Sequence, residues 1–107
     1  MRVLLDECLP GRKLKPGFPN HDVRTVADMD WRGIRNGVLL ALAEPEFDAF
    51  VTLDRGIEYQ QDLTGLSVRI VIVRAYSNKL ADLLPLVPSI QTAIERLAPG
   101  ALVHVAG

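Results

Sequence analysis

Short apolar runs recur along this chain, and their pattern predicts β-strands separated by helices. Residues 2–5 end in three successive apolar positions, as expected for a strand buried on both faces of a parallel sheet. Alternating β-branched residues predict a second strand over residues 21–26. Further apolar runs predict strands over residues 47–53, 67–73 and 102–105.

The segments between these runs carry helical signals. A short helix is predicted over residues 8–15, ending before Pro16 because proline disfavours helical backbone at the residue that precedes it. A Leu- and Ala-rich helix is predicted over residues 38–44, with Asn36 near its N-cap. Residues 57–62 are predicted to form a short helix or a turn.

The last helical region, residues 78–97, keeps its apolar side chains on one face. Pro85 and Pro88 lie inside it, and a proline in a helix interior costs about 3 kcal/mol. We therefore expect a kinked helix or two helices. Strands that alternate with helices predict an α/β fold, with a mainly parallel sheet of four to five strands and helices on both faces.

Composition and charge narrow the function classes. The 107 residues suit a single domain over residues 1–107, and 49% hydrophobic with 23% charged residues is an ordinary globular composition. A net charge of −1 gives no global attraction to nucleic acid or membrane. No segment approaches the length of a membrane span, and the apolar start is too short for a signal peptide. One cysteine suits a reducing compartment, so we expect a cytoplasmic protein.

Acidic residues follow two of the predicted strands. Asp6 and Glu7 come directly after the first strand, and Asp54 follows the third. Ligands of open α/β sheets bind beyond the carboxyl ends of the strands, so we expect three carboxylates to converge if these strands are neighbours. Adjacent carboxylates repel unless a cation, a proton or a basic group lies between them. Such a cluster favours Mg²⁺ or Mn²⁺, which can activate a water and neutralise charge on a phosphodiester.

Polar residues near the same edge are candidates to hold substrate. The helix that begins near Asn36 would add free backbone N–H groups. Arg74 follows the fourth strand and is a candidate to bind a substrate phosphate, although a structural ion pair is an equal alternative. Asn78 follows it closely and would assist.

Several motifs occur in the order and spacing of one known family. They are Leu4-Leu5-Asp6-Glu7-Cys8-Leu9-Pro10, His21-Asp22-Val23, Gly33, Asn36 with Leu39-Leu40-Ala41-Leu42-Ala43, Val51-Thr52-Leu53-Asp54-Arg55, and Val71-Ile72-Val73-Arg74 with Asn78. Through them, nearly the whole chain resembles the PIN-like nuclease superfamily, and most closely a short bacterial branch of small PIN-like proteins. The resemblance implies a three-layer α/β domain.

PIN domains are metal-dependent ribonucleases, and many are the toxin halves of toxin–antitoxin pairs. The resemblance therefore implies a ribonuclease that uses Mg²⁺ or Mn²⁺. Asp6 would be the main metal ligand, Asp54 the second, and Glu7 a further ligand or a base. The partners to consider are RNA, an antitoxin-like protein and a second copy of this chain.

The chain departs from the family pattern at two positions. Relatives generally carry Asp where this chain has Asn36, and often Asp or Asn where it has Gly56. The amide oxygen of Asn36 can coordinate a metal but brings no negative charge, and divalent-ion affinity depends on ligand charge. The alternative is therefore a catalytically weakened partner-binding or regulatory module. A phosphoacceptor receiver domain is a third hypothesis, but its only candidate lysine, Lys79, is poorly placed.

Simpler interpretations stand beside these. Asp6 and Glu7 would also stabilise the start of the following helix. Cys8 is interpreted as a small packed residue, since neighbouring carboxylates disfavour its thiolate. Trp31 either stacks on a base together with Arg32 or anchors its loop to the domain. The same polar loop holds two aspartates that we expect to be solvated, Asp28 and Asp30.

Overall fold

Five strands form one parallel sheet in the computed structural model, which describes residues 1–106. They are β1 (Arg2–Leu5), β2 (Asp22–Thr25), β3 (Ala49–Thr52), β4 (Arg69–Arg74) and β5 (Leu102–Ala106). The strand order is β2-β1-β3-β4-β5, and each neighbouring pair is parallel. The predicted α/β class with a mainly parallel sheet is confirmed.

Short helices connect the strands. They are α1 (Gly11–Leu14), α2 (Asn36–Ala43), α3 (Ile57–Gln60), α4 (Leu80–Leu83) and α5 (Val87–Arg96), with single 3-10 turns at Lys15–Gly17 and Leu84–Leu86. Within residues 1–106, no helix is long and apolar enough to cross a membrane.

Helices cover both faces of the sheet, as the side chains of β1 show. Successive side chains of a strand point to opposite faces. Val3 and Leu5 belong to one buried cluster, while Leu4, between them, belongs to the other. The first cluster includes residues of α1, α4 and α5, and the second includes residues of α2 and α3. Helices therefore lie on both faces, as the alternating pattern predicts.

Two element boundaries differ from the predictions in ways that matter for the site. β3 ends at Thr52 rather than at residue 53, because the backbone N–H of Asp54 bonds to the Thr52 hydroxyl instead of continuing the strand. α1 begins only at Gly11, because the chain first turns with the Leu9 N–H bonded to the Asp6 carbonyl. The other strand predictions are correct to within one or two residues.

Helix α2 begins two residues earlier than predicted, although Asn36 does lie near the N-cap. Arg35, in extended conformation, is the N-cap of α2, and Asn36 is the first helical residue. Its side chain does not cap the helix, because it donates a hydrogen bond to Asp54.

The two prolines divide the last helical region as predicted. Pro85 lies in the first turn of the 3-10 segment, and Pro88 lies in the first turn of α5. The first N–H groups of a helix have no intrahelical partner, so proline is tolerated there. The result is two α-helices joined by a 3-10 turn.

Candidate functional site

Asp6 and Asp54 lie where the order of the sheet reverses. The chain passes from β1 to β2 on one side and then returns to place β3 on the other side of β1. This reversal is a topological switch point, and open α/β sheets bind ligands in the crevice beyond it. Asp6 follows β1 directly, and Asp54 lies two residues after β3. The strand order therefore brings both acidic residues to this crevice.

A single hydroxyl group links these two residues. The Oγ1 of Thr52 donates a hydrogen bond to Oδ2 of Asp6 at 2.7 Å and accepts one from the Asp54 backbone N–H at 3.0 Å. Thr52 is fully buried, and Asp6 is only 7% exposed. Sequence reasoning did not single out Thr52 as a site residue. The sequence pattern that could have identified it is a hydroxyl side chain at the end of an otherwise apolar strand, two residues before an acid.

The buried carboxylate of Asp6 has neutral hydrogen-bond donors but no cationic partner. Its Oδ1 accepts the Glu7 backbone N–H at 2.8 Å. Among residues 1–106, neither Asp6 nor Asp54 takes part in a salt bridge. Removing an ionised group from water costs several kcal/mol unless opposite charge compensates it. Among the described residues, no direct ion pair compensates the charge of Asp6.

Asp54 is held by neighbours from two elements. Nδ2 of Asn36 donates to its Oδ2 at 2.5 Å, and the Gly56 backbone N–H donates to its Oδ1 at 2.8 Å. The structure therefore brings Asn36 to the site, as predicted. However, the amide presents its NH₂ group, and not its carbonyl oxygen, to the carboxylate. A ligand role for Asn36 requires this amide to turn over.

Glu7 occupies a different position from the other two acids. Its side chain is exposed, and its Oε1 accepts the Gly33 backbone N–H at 3.0 Å. Residues 1–106 contain no group of three or more His, Cys, Asp or Glu side chains arranged to hold one metal ion. Thr52 links Asp6 and Asp54, whereas Glu7 anchors the loop that precedes α2.

Cys8 packs beside the acid pair. Its Sγ lies 3.6 Å from Oδ2 of Asp6 and 3.9 Å from Oγ1 of Thr52. Burial raises the pKa of the Cys8 thiol, and the charge of Asp6 acts in the same direction. A protonated thiol is neither a nucleophile nor a good metal ligand. This agrees with the interpretation of Cys8 as a packed residue.

The predicted phosphate-binding residues lie on the β4 side of the crevice. Arg74 is the exposed last residue of β4 and takes part in no salt bridge within the described chain. Asn78 donates from Nδ2 to the Cys8 carbonyl at 3.5 Å, which ties its loop to the segment after β1. Lys79 is exposed and forms the N-cap of α4.

A cleft of about 650 Å³ opens on the opposite, β2 side of Asp6. Its lining includes Asp6, Glu7, Leu9, Pro10, Gly11, Arg12, Lys13, Thr25, Ala27, Asp28 and Arg32. Neither Arg74 nor Asn78 belongs to it. Sequence reasoning gave Arg12 and Lys13 no role, although these two basic residues follow the first acidic motif closely.

The loop after β2 is fixed by packing and by an ion pair. Trp31 meets the Phe47 ring edge-on, with 6.1 Å between ring centroids, so it anchors the loop to the core. Asp28 accepts the Thr25 N–H at 2.9 Å and forms an ion pair with Lys15. The hydrogen bond from Lys15, followed by that from Thr25, lowers the pKa of Asp28 to about 2. Asp28 is exposed, as predicted, and its contacts with Lys15 and Thr25 also give it a structural role.

Comparison with family models, with curated proteins and with solved structures finds no match to this chain. The description of the site therefore depends on the residues and contacts of the chain itself.

Proposed function

We propose that this protein is a PIN-like, metal-dependent ribonuclease that hydrolyses phosphodiester bonds with Mg²⁺ or Mn²⁺. The observation that carries the proposal is the Thr52-linked pair of Asp6 and Asp54 at the switch point of a parallel sheet. The sequence resemblance to the PIN-like superfamily, whose motifs include these residues, also supports it. In this proposal, the protein is the toxin component of a toxin–antitoxin pair and is restrained by an antitoxin-like protein.

The donor set suits a hard divalent cation. A carboxylate offers about four lone-pair positions, and Asp6 uses only some of them for Thr52, Glu7 and Cys8. Mg²⁺ is usually held by one or two carboxylates together with waters and substrate phosphates. The neutral side chain of Asn36 adds no charge, so the ion would bind weakly until RNA supplies a phosphate.

The protein side chains have separate roles in this proposal. Asp6 and Asp54 would hold the metal ion, which would activate a water and neutralise charge on the phosphodiester. The Thr52 hydroxyl fixes the Asp6 carboxylate. Glu7, exposed and next to Asp6 in the chain, would accept a proton from the attacking water or serve as a further ligand. Arg74 and Asn78 would hold a substrate phosphate on the β4 side.

The test is cleavage of labelled RNA in Mn²⁺ by the protein and by its Asp6→Asn variant. We expect the variant to lose about 100-fold or more in rate, which corresponds to about 2.7 kcal/mol of barrier. Asp30→Asn is the matched control, because Asp30 is exposed and its positive φ of 60° is tolerated by asparagine. Absence of cleavage by the unmodified protein, or equal cleavage by Asp6→Asn, would contradict the proposal.

A second candidate is a partner-binding module without catalysis. The hydrogen bond from Asn36 to Asp54 favours this module, because a neutral amide already satisfies the Asp54 carboxylate and no cation is needed to do so. Calorimetric titration with Mn²⁺ separates the two candidates. A protein that binds no Mn²⁺, yet forms a stoichiometric complex with an antitoxin-like protein, would support the partner-binding module.

A further inference from the structure

We infer that the cleft beside Asp6 is the channel that receives the RNA strand, with its basic side chains on the phosphates next to the scissile one. We call it the basic cleft and define it by Arg12, Lys13 and Arg32 around Asp6. The identity of the ligand rests on the proposed function. The charge and construction of the cleft are properties of the structure.

Three cations and three carboxylates line the basic cleft, and the ion pair of one carboxylate with Lys15, which lies outside the lining, leaves an excess of one positive charge. Arg12, Lys13 and Arg32 are all exposed, and none of them takes part in a salt bridge among residues 1–106. Of the acids that line the cleft, Asp28 is already paired with Lys15. Unpaired cations that face one cleft concentrate positive potential there and attract a polyanion.

The two other carboxylates of the cleft keep their negative charge. Glu7 accepts the Gly33 N–H, and Asp6 is the proposed metal ligand. The whole chain has a net charge of −1, so the excess of one positive charge at the cleft, with Lys15 counted, is a local feature.

Close packing fixes one wall of the basic cleft. A Cβ added at Gly11 would lie 2.4 Å from Cγ2 of Thr25, so the α1 backbone is in direct contact with the end of β2. This contact holds α1 over the cleft and sets the positions of Arg12 and Lys13, the two residues that follow Gly11.

The hydrogen bond between Gly33 and Glu7 fixes another part of the lining. It ties the loop that carries Arg32 to the segment directly after β1. Asp6 lines the same cleft, so a phosphate beside Asp6 has basic side chains from two separate elements nearby. The cleft volume, about 650 Å³, is within the range of about 300–1,000 Å³ that is typical of ligand sites. Leu9, Pro10 and Ala27 add apolar surface for the sugars and bases.

The inference is tested by RNA binding without metal, which separates binding from hydrolysis. A short fluorescein-labelled oligouridylate is titrated in EDTA, and its anisotropy gives Kd for the protein and for the Arg12→Gln/Arg32→Gln variant. We expect Kd to rise about tenfold or more. The slope of log K against log salt should fall by about 1.4, because each lost phosphate contact on a single strand removes about 0.7.

The control is Arg24→Gln/Arg96→Gln, which removes the same charge from exposed residues outside the basic cleft. The Arg24–Asp22 pair that it breaks is a surface ion pair of small value. We expect its Kd to stay within about twofold of that of the unmodified protein. Equal weakening by the two double variants, or no weakening by the cleft variant, would overturn the inference.

Cleavage in Mn²⁺ distinguishes failure of the channel from failure of the ribonuclease. If RNA binding depends on Arg12 and Arg32 but the protein never cleaves RNA, the channel is supported and the ribonuclease proposal is contradicted. Mn²⁺-dependent cleavage whose KM and kcat are unchanged in Arg12→Gln/Arg32→Gln supports the ribonuclease and overturns the channel.

Discussion

The hydroxyl of Thr52, at the end of β3, donates a 2.7 Å hydrogen bond to the carboxylate of Asp6, at the end of β1. The same oxygen accepts the backbone N–H of Asp54. A hydroxyl has a single proton, and here that proton lies toward Asp6. The relative position of the two acids therefore depends on one buried side chain.

Replacing Thr52 with valine should damage this arrangement without a change in volume. Thr52→Val leaves the buried Asp6 carboxylate without one donor and the Asp54 N–H without its acceptor. Leaving a buried polar group unsatisfied costs about 1–3 kcal/mol. We expect a loss of this size in the free energy of unfolding, measured in urea, together with weaker Mn²⁺ binding. Thr92→Val, on the exposed surface of α5, is the control and should change neither quantity.

Introducing a carboxylate at Asn36 should make the site more dependent on metal. In Asn36→Asp the hydrogen bond to Asp54 gives way to repulsion between two carboxylates, so the metal-free protein should lose stability. With Mn²⁺ the additional charge should tighten binding by about tenfold, or about 1.4 kcal/mol. Thermal unfolding with and without Mn²⁺ measures both effects. A Tm increase no larger than that of the unmodified protein would contradict the proposed metal site.

The contact between α1 and β2 should tolerate no side chain at Gly11. In Gly11→Ala the new Cβ would lie 2.4 Å from Thr25, in a buried position where neither partner can move freely. Overpacking of this kind costs about 1–3 kcal/mol. Gly37→Ala is the matched control, because its Cβ meets only the flexible end of Gln61. That variant should gain about 0.5–1 kcal/mol from its helical position. Urea unfolding measures the stability of both variants, and equal stability of the two would contradict the prediction.

The pairing of Asp28 with Lys15 should make part of the stability dependent on pH. The pKa of Asp28 is about 2 in the folded protein, below its unfolded value of about 3.9. Its contribution is therefore fully present above about pH 4 and is lost as the pH falls toward 2. Both side chains are about one third exposed, so we expect less than about 1 kcal/mol. The free energy of unfolding of Asp28→Asn, measured over this pH range, should lack this part of the pH dependence. A stability profile of Asp28→Asn that matches that of the unmodified protein would contradict this role of the Asp28–Lys15 pair.

The strand pattern was predictable because burial on both faces leaves continuous apolar runs, such as Val3, Leu4 and Leu5. The break near Pro85 and Pro88 was predictable because proline acts through local geometry. The end of β3 was not, because it depends on a bond between the Thr52 side chain and the backbone of Asp54. Local propensity contains no information about that bond.

The candidate site was predictable only in part. Asp6 and Asp54 were identified because strand ends in a parallel sheet meet at one edge. The hydrogen bond that Glu7 accepts from Gly33 was not predictable, since the two residues are 26 positions apart in the chain. The basic cleft was missed for the same reason. Arg12 and Arg32 are far apart in the sequence, and only the folded loops bring them to one cavity.

The strand order also determines when the acid pair can exist. Thr52 and Asp6 are 46 residues apart, and they meet only when β3 has paired with β1. Contacts this distant in the chain form late, because the loop between them must close first. Before β3 has left the ribosome, Asp6 has neither Thr52 nor Asp54 beside it. The pair therefore arises only after Asp54 has been synthesised and β3 has paired with β1, so any activity that needs both acids is absent until then.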